Sequence, residues 1–98
     1  MTLKVEIDSS IIKLNGVFAV ESIQLIEEML KAYLKTNTRL IIDLSSLSRI
    51  DVECVFFLEK FIKKQDKKNK SITIRRVKNN RILKAFKVLK LETLFEDY

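Results

Sequence analysis

Within twelve residues, Asp43, Ser45, Ser46, Ser48, Asp51, Glu53 and Cys54 bring together two aspartates, a glutamate, three serines and the only cysteine of a 98-residue chain. Side chains of these types can accept a phosphoryl group, cap a helix, relay a proton or attack as a thiolate. What they lack is a base. The chain has no histidine, so neither a Ser-His nor a Cys-His nucleophile pair can be assembled. One cysteine makes neither a disulfide nor a thiolate cage, and no acidic spacing suits a metal ion. With no proline and one glycine, Gly-rich phosphate loops are excluded as well. No catalytic set, metal site or cofactor can be named, an enzyme is not expected, and a binding or switching role is what the residues leave.

Each candidate has a bland reading beside the functional one. Asp51 stands where an N-cap would, ahead of an apolar helix. Glu53, in the first turn of that helix, meets the positive end of the macrodipole, worth about 0.3–1 kcal/mol, so an acid there needs no functional reason. Cys54 sits at a helix N-terminus, which favours a thiolate, but its wheel position is inward, where a buried cysteine is inert. Phe56 lies about 160° from the inward-facing Leu58, beside Glu53 and Lys60, and is expected to point outward as an interface anchor. Phe57, at the edge of the inward face, is expected in the core. The serines of residues 45–51 read as alternative phosphorylation sites or as solvated and capping hydroxyls.

These residues need elements to hold them. Leu3, Val5 and Ile7 alternate with Lys4 and Glu6, and Ile12 and Leu14 resume after the turn formers Asp8, Ser9 and Ser10, which predicts a hairpin ending at Asn15-Gly16. Ile23, Ile26, Met29, Leu30, Tyr33 and Leu34 recur at helical spacing over residues 21–35. RLIIDL at 39–44 has the branched, nearly continuous apolar character of a strand buried on both faces. Residues 45–51 read as a loop, and 52–64, or a turn beyond, as a helix with Cys54, Val55, Leu58, Phe61 and Ile62 inward. Residues 71–77 alternate as a strand. Asn79 or Asn80 caps a third helix facing Ile82, Leu83, Phe86 and Leu89 inward, and a short helix over 92–97 tucks Leu91, Leu94 and Phe95 against the body. This order predicts an α/β sandwich in one domain spanning 1–98, with about 65% of the unfolded surface buried.

Lys and Arg number 19 against 13 Asp and Glu, a net charge of +6. Residues 1–50 hold six of each sign, so the whole excess lies in the second half, where twelve bases between Lys63 and Lys90 face one acid, Asp66. Such a stripe reads as a surface for nucleic acid, anionic membrane or an acidic protein, or as a solvated lysine-rich face. Nine of the twelve are lysine, whereas base and phosphate recognition favours arginine, and no aromatic interleaves before Phe86; both argue against nucleic acid. A lone cysteine suits a reducing cytoplasm. The longest apolar runs, of four and five residues, predict no transmembrane segment, which needs roughly 20. MTLKVEID carries no export signal, so a mature cytoplasmic protein is expected.

DLSSLSRID at 43–51, running into an apolar helix, resembles the STAS family of sulfate-transporter and anti-sigma-factor-antagonist domains, whose pattern is a strand, then D-L-S-x-[LV]-x-x-[IVM]-D, then a helix. The element order is similar, Leu14-Asn15-Gly16 matches the end of the family's second strand, and RILKAFKVLKLETLF at 81–95 looks like its C-terminal segment. The resemblance implies a mixed sheet of about four strands with an N-terminal hairpin, packed against three to four helices, and a regulatory role exercised by binding. In phosphoswitch members the counterpart of Asp51 is followed by Ser-Ser/Thr-Gly, and a kinase that is also the anti-sigma factor phosphorylates the second hydroxyl. Here Val52, Glu53 and Cys54 follow, so the resemblance puts Glu53 at the phosphoacceptor position. After Gly16, where the family often carries an acid, the chain reads Val17, Phe18, Ala19. The implied protein is antagonist-like with its phosphorylation switch lost or altered; Glu53 has less charge than a phosphate and mimics one only in part. Expected contact residues are Asp51, Glu53 and Phe56, with Ser48 and Lys60 beside them. The expected partner is a histidine-kinase-like anti-sigma factor or, alternatively, the ATPase of an ABC lipid transporter, which requires no phosphoswitch. Nucleic-acid or anionic-membrane binding through 63–90 is the alternative of another class.

Overall fold

The computed structural model describes residues 2–96. Apolar alternation at the N-terminus forms β1 (Leu3–Asp8), which turns through Ser9 and Ser10 into the antiparallel β2 (Ile11–Phe18). A 3₁₀ turn at Val20–Ser22 leads into α1 (Ile23–Leu34), followed by β3 (Arg39–Ile50), α2 (Val52–Asp66), β4 (Ser71–Ile74), α3 (Asn80–Lys87) and a 3₁₀ turn at Glu92–Leu94. The sheet order is β1-β2-β3-β4, with β2, β3 and β4 mutually parallel. Ile12, Leu14, Leu40, Ile42, Ile72 and Ile74 alternate along one face of the sheet and are buried with Ile26, Leu30 and Leu34 of α1, Val55, Leu58 and Phe61 of α2, and Ile82 and Phe86 of α3. Each such side chain removed from water contributes about 1.5–3 kcal/mol. The expected mixed α/β sheet with its N-terminal hairpin is the observed one.

Four boundaries differ from the sequence reading, each for a local reason. Of the loop expected over 45–51, all but Asp51 is strand: β3 continues to Ile50 and pairs with β2 through Asn15↔Ser46, Gly16↔Leu47, Val17↔Arg49 and Phe18↔Ile50. Two register shifts, between Lys13 and Asn15 and between Gly16 and Val17, each set one extra β3 residue against β2, the signature of a β-bulge. They convert the buried spacing from two to three, so Leu44, Leu47 and Ile50 face the core and the alternation that marks a strand is lost. β2 likewise does not stop at Asn15-Gly16 but passes through Gly16 to Phe18. Gly16 has φ +99°, and a Cβ there would stand 2.2 Å from the Thr2 carbonyl oxygen, so only glycine fits the seam.

At the other end of the chain, the strand expected over 71–77 ends at Ile74, although Val77 is buried. There the C-terminal segment docks instead: the Glu96 N–H donates to the Ile74 carbonyl at 2.7 Å and Phe95 bridges Ile74. The helix expected over 92–97 is a single 3₁₀ turn, because Phe95 goes extended (φ −72°, ψ 146°) to make that bridge; Asp97 lies outside the described residues. The Phe95 ring, 4.6 Å from that of Phe86, still closes the core. Asn79 caps α3 as expected, its Oδ1 accepting from the Arg81 N–H at 2.9 Å, and its Nδ2 donates to the Leu47 carbonyl at 3.0 Å, fastening α3 to the bulged strand.

Candidate functional site

The strand-to-helix junction is held by polar groups that the sequence offers as site residues. Asp51 occupies the N-cap position with extended backbone (φ −74°, ψ 148°), and its carbonyl accepts from the N–H groups of Cys54 and Val55 at 2.9 and 3.3 Å. Its carboxylate, however, makes no capping bond. It turns to the neighbouring chain, where Oδ2 accepts from the Val20 N–H at 3.1 Å, while the Asp51 N–H donates to the Phe18 carbonyl at 3.0 Å. The physical reason is the 3₁₀ turn at Val20–Ser22, whose first N–H has no intrahelical acceptor. Ser48 Oγ donates to the Gly16 carbonyl at 3.1 Å, stitching the second bulge. Asp43, at the first bulge, is buried; its Oδ1 accepts from the Ser45 N–H at 2.9 Å and its Oδ2 lies 3.5 Å from Arg75 Nη1. Burial pushes the Asp43 carboxyl up, but hydrogen bonding from Ser45 and the charges of Arg75 and Lys13 outweigh it and leave it below the ordinary value.

One helical turn further, the side chains are differently disposed. Cys54 is buried, and burial, with the charges of Asp51 and Glu53, pushes its thiol up to about 12; it is an inert core residue, as its wheel position predicts. Glu53, Phe56 and Lys60 are exposed on the outer face of α2, Phe56 at 42%. Together with Phe57, Glu59, Phe61 and Lys64 of α2 and Glu27 of α1 they line an open groove of about 860 Å³. Its floor is aromatic. Phe57 is half-buried, set edge-on to Phe18 at 6.4 Å and 5.7 Å from Phe61, a geometry that favours ring pairs. Of the charged lining, Glu59 pairs with Lys63 at 3.0 Å and Glu27 with Lys31 at 3.3 Å, each within its own helix. Glu53, Lys60 and Lys64 form no ion pair among the described residues.

Of the five expected contact residues, the groove therefore brings together Glu53, Phe56 and Lys60, while Asp51 and Ser48 stand outside it in internal hydrogen bonds. Sequence reasoning missed the contribution of α1 through Glu27 and the aromatic floor of Phe57 and Phe61. The i, i+4 spacing of Phe57 and Phe61 was the available signal. The basic stripe of 63–90 is partly consumed: Lys63 pairs with Glu59, Arg75 approaches Asp43, and Lys70 Nζ donates to the Leu34 carbonyl and, at 3.3 Å, to that of Asn37. Arg81, Lys84 and Lys87 remain exposed on α3.

The chain thus combines a small mixed sheet with an antiparallel edge hairpin, a bulged strand leading into a helix and an open aromatic groove on that helix. The chain belongs to the STAS family: it matches the family described as "Mlab, STAS domain" over residues 1–96. No curated protein matches it by sequence. Among solved structures it is similar to the anti-sigma factor antagonist SpoIIAA in its unphosphorylated form, with a TM-score of 0.77 at 15% identity over 99% of this chain and 88% of that one. An anti-sigma factor antagonist from Mycobacterium paratuberculosis superposes with a TM-score of 0.76 at 16% identity, covering 97% of this chain and 82% of that one. A protein of the DUF3478 family with a SpoIIAA-like fold, from Shewanella loihica, gives 0.51 at 16% identity over 91% and 76%. At these identities the likeness is one of fold. Among the described residues no helix is long and apolar enough to cross a membrane.

Proposed function

We propose that this chain is a single STAS domain over residues 1–98 that acts in the cytoplasm by binding and regulating a protein partner through the first turns of α2, without a phosphorylation switch at position 53. The observation that carries this reading is Phe56, an exposed aromatic on the rim of a groove floored by Phe57 and Phe61 and flanked by unpaired Glu53 and Lys60. Aromatic anchors inside a charged rim are the usual centre of a protein interface. Catalysis finds no support, since the one thiol is buried with a raised pKa and no histidine exists to serve as a base.

Two partner classes fit. The likeness in fold to two anti-sigma factor antagonists supports a histidine-kinase-like anti-sigma factor. The carboxylate at position 53, where the phosphoswitch members of the family need a hydroxyl, favours the ATPase of an ABC lipid transporter, whose regulation needs no phosphorylation. Affinity capture from the native cell separates them: recovery of an ABC ATPase without a kinase ends the first, and the reverse ends the second. Phe56→Ala and Glu53→Ser should reduce capture. If neither changes the recovered proteins, the proposed surface is wrong.

A further inference from the structure

The exposed stripe of α2 changes sign along its length. Glu53, Phe57, Lys60 and Lys64 fall within about 40° of one line on the helix surface, with Phe56 and Phe61 to either side, because steps of seven and eleven residues return to nearly the same face of a helix with 3.6 residues per turn. An acid stands at the N-terminal end, aromatic rings in the middle and two bases toward the C-terminal end; all six line the groove, whose other two acids, Glu27 and Glu59, are each paired with a lysine of their own helix. Reversed in direction, this order is its own complement. If two α2 helices lie antiparallel about a two-fold axis passing between Phe57 and Leu58, Glu53 of each copy falls between Lys60 and Lys64 of the other, about 3 Å along the axis from either. Phe56 and Phe57 of both copies then meet at the centre.

We propose that the groove is occupied by a second copy of this chain, in an isologous α2–α2 dimer that covers Phe56 and so controls access to the partner-binding surface. The dimer stands on the stripe alone; its regulatory meaning rests on the partner-binding reading above. One groove on one helix pair belongs to the class of weak interfaces below about 1,200 Å², and the net charge of +6 on each chain opposes association at long range. Both keep the dimer weak enough for a partner to displace.

Sedimentation equilibrium on the full chain, from about 10 μM to about 1 mM, reads this directly, because a dissociation constant anywhere in that range shows as a monomer–dimer equilibrium. Glu53→Lys, and separately Lys60→Glu combined with Lys64→Glu, should each weaken the dimer at least tenfold while leaving the far-UV circular dichroism unchanged. A chain carrying all three reversals should recover it, as should an equimolar mixture of the two reversed proteins. A wild-type chain that stays monomeric throughout overturns the proposal, as does a dimer indifferent to both reversals or a folded triple variant that fails to recover. A monomer whose captured partner is lost with Lys60→Glu assigns the groove to that partner and overturns the dimer. If instead the dimer forms as described but Phe56→Ala leaves partner capture untouched, the partner surface falls and the dimer stands.

Discussion

Asp43, Ser48 and Asp51 on the β2–β3 seam and Glu53, Phe56 and Lys60 on the outer face of α2 come from one stretch of eighteen residues, yet their chemistry is spent in opposite directions. These three seam side chains each have an internal partner: Ser45 and Arg75 for Asp43, the Gly16 carbonyl for Ser48, the Val20 N–H for Asp51. The α2 residues have none of that kind among the described residues and border an open apolar groove. A buried polar group such as Asp43 is stabilising only while its partner is present, so the seam is spent on holding β2 and β3 together. An exposed Phe between unpaired charges contributes almost nothing to the isolated fold and is free to be completed from outside. The seam should therefore fail in stability with binding intact, and α2 in binding with stability intact.

Gly16→Ala should break the seam most severely. A Cβ at φ +99° and 2.2 Å from the Thr2 carbonyl oxygen forces β1 away from β2, and a loss of about 3 kcal/mol is expected from strain of this kind, read as a lower urea midpoint at constant slope. A loss below about 0.5 kcal/mol, the range of ordinary surface changes, would show that position 16 does not require glycine. Asp43→Ala should cost about 1–3 kcal/mol at neutral pH, because the Ser45 N–H and the Arg75 guanidinium lose their acceptor. Its pH dependence sharpens the claim. The folded-state carboxyl titrates below the ordinary value of 3.8, so the charged form favours folding; that stability is fully present above pH 3.8 and is lost as pH falls through the lower folded value. The deficit of the variant should accordingly shrink on acidification below about pH 4. A deficit constant with pH would assign the effect to packing rather than to charge.

The same contrast explains how far the sequence could be read. Elements whose apolar residues keep a regular period were legible: α2 with Cys54, Val55, Leu58 and Phe61 inward, and the exposure of Phe56, follow from steps of 100° per residue. Where a bulge resets the period, pattern reading fails, which is why Leu47 and Ile50, at spacing three from Leu44, looked like a loop and why Gly16 looked like the end of a hairpin. The destination of a polar side chain is harder still. Asp51 sits at its expected position, but the bond that claims its carboxylate comes from Val20, thirty-one residues earlier in the chain, and only the parallel pairing of β2 with β3 brings that N–H within reach. The groove had a partial signal, since its α2 wall is periodic, but its α1 wall at Glu27 depends on tertiary packing.

On α2, Phe56→Ala should leave the unfolding free energy within about 0.5 kcal/mol of wild type and weaken partner capture at least tenfold, as truncating a central aromatic anchor does. The smallest effect is expected from the basic face of α3. Arg81, Lys84 and Lys87 project outward, and among the described residues no aromatic is exposed beside them to receive a base or a partner's pocket. Charge of one sign without a shaped apolar centre acts at long range. It raises association rates and is screened over about 8 Å at physiological ionic strength. Lys84→Gln combined with Lys87→Gln should thus alter partner affinity by less than about threefold at 0.15 M salt, and mainly through the on-rate. The discriminating measurement is the salt dependence of binding. If capture collapses in the double variant and falls steeply with salt, counterion release is driving it, the ligand is a polyanion, and the working face of the domain is α3 rather than α2.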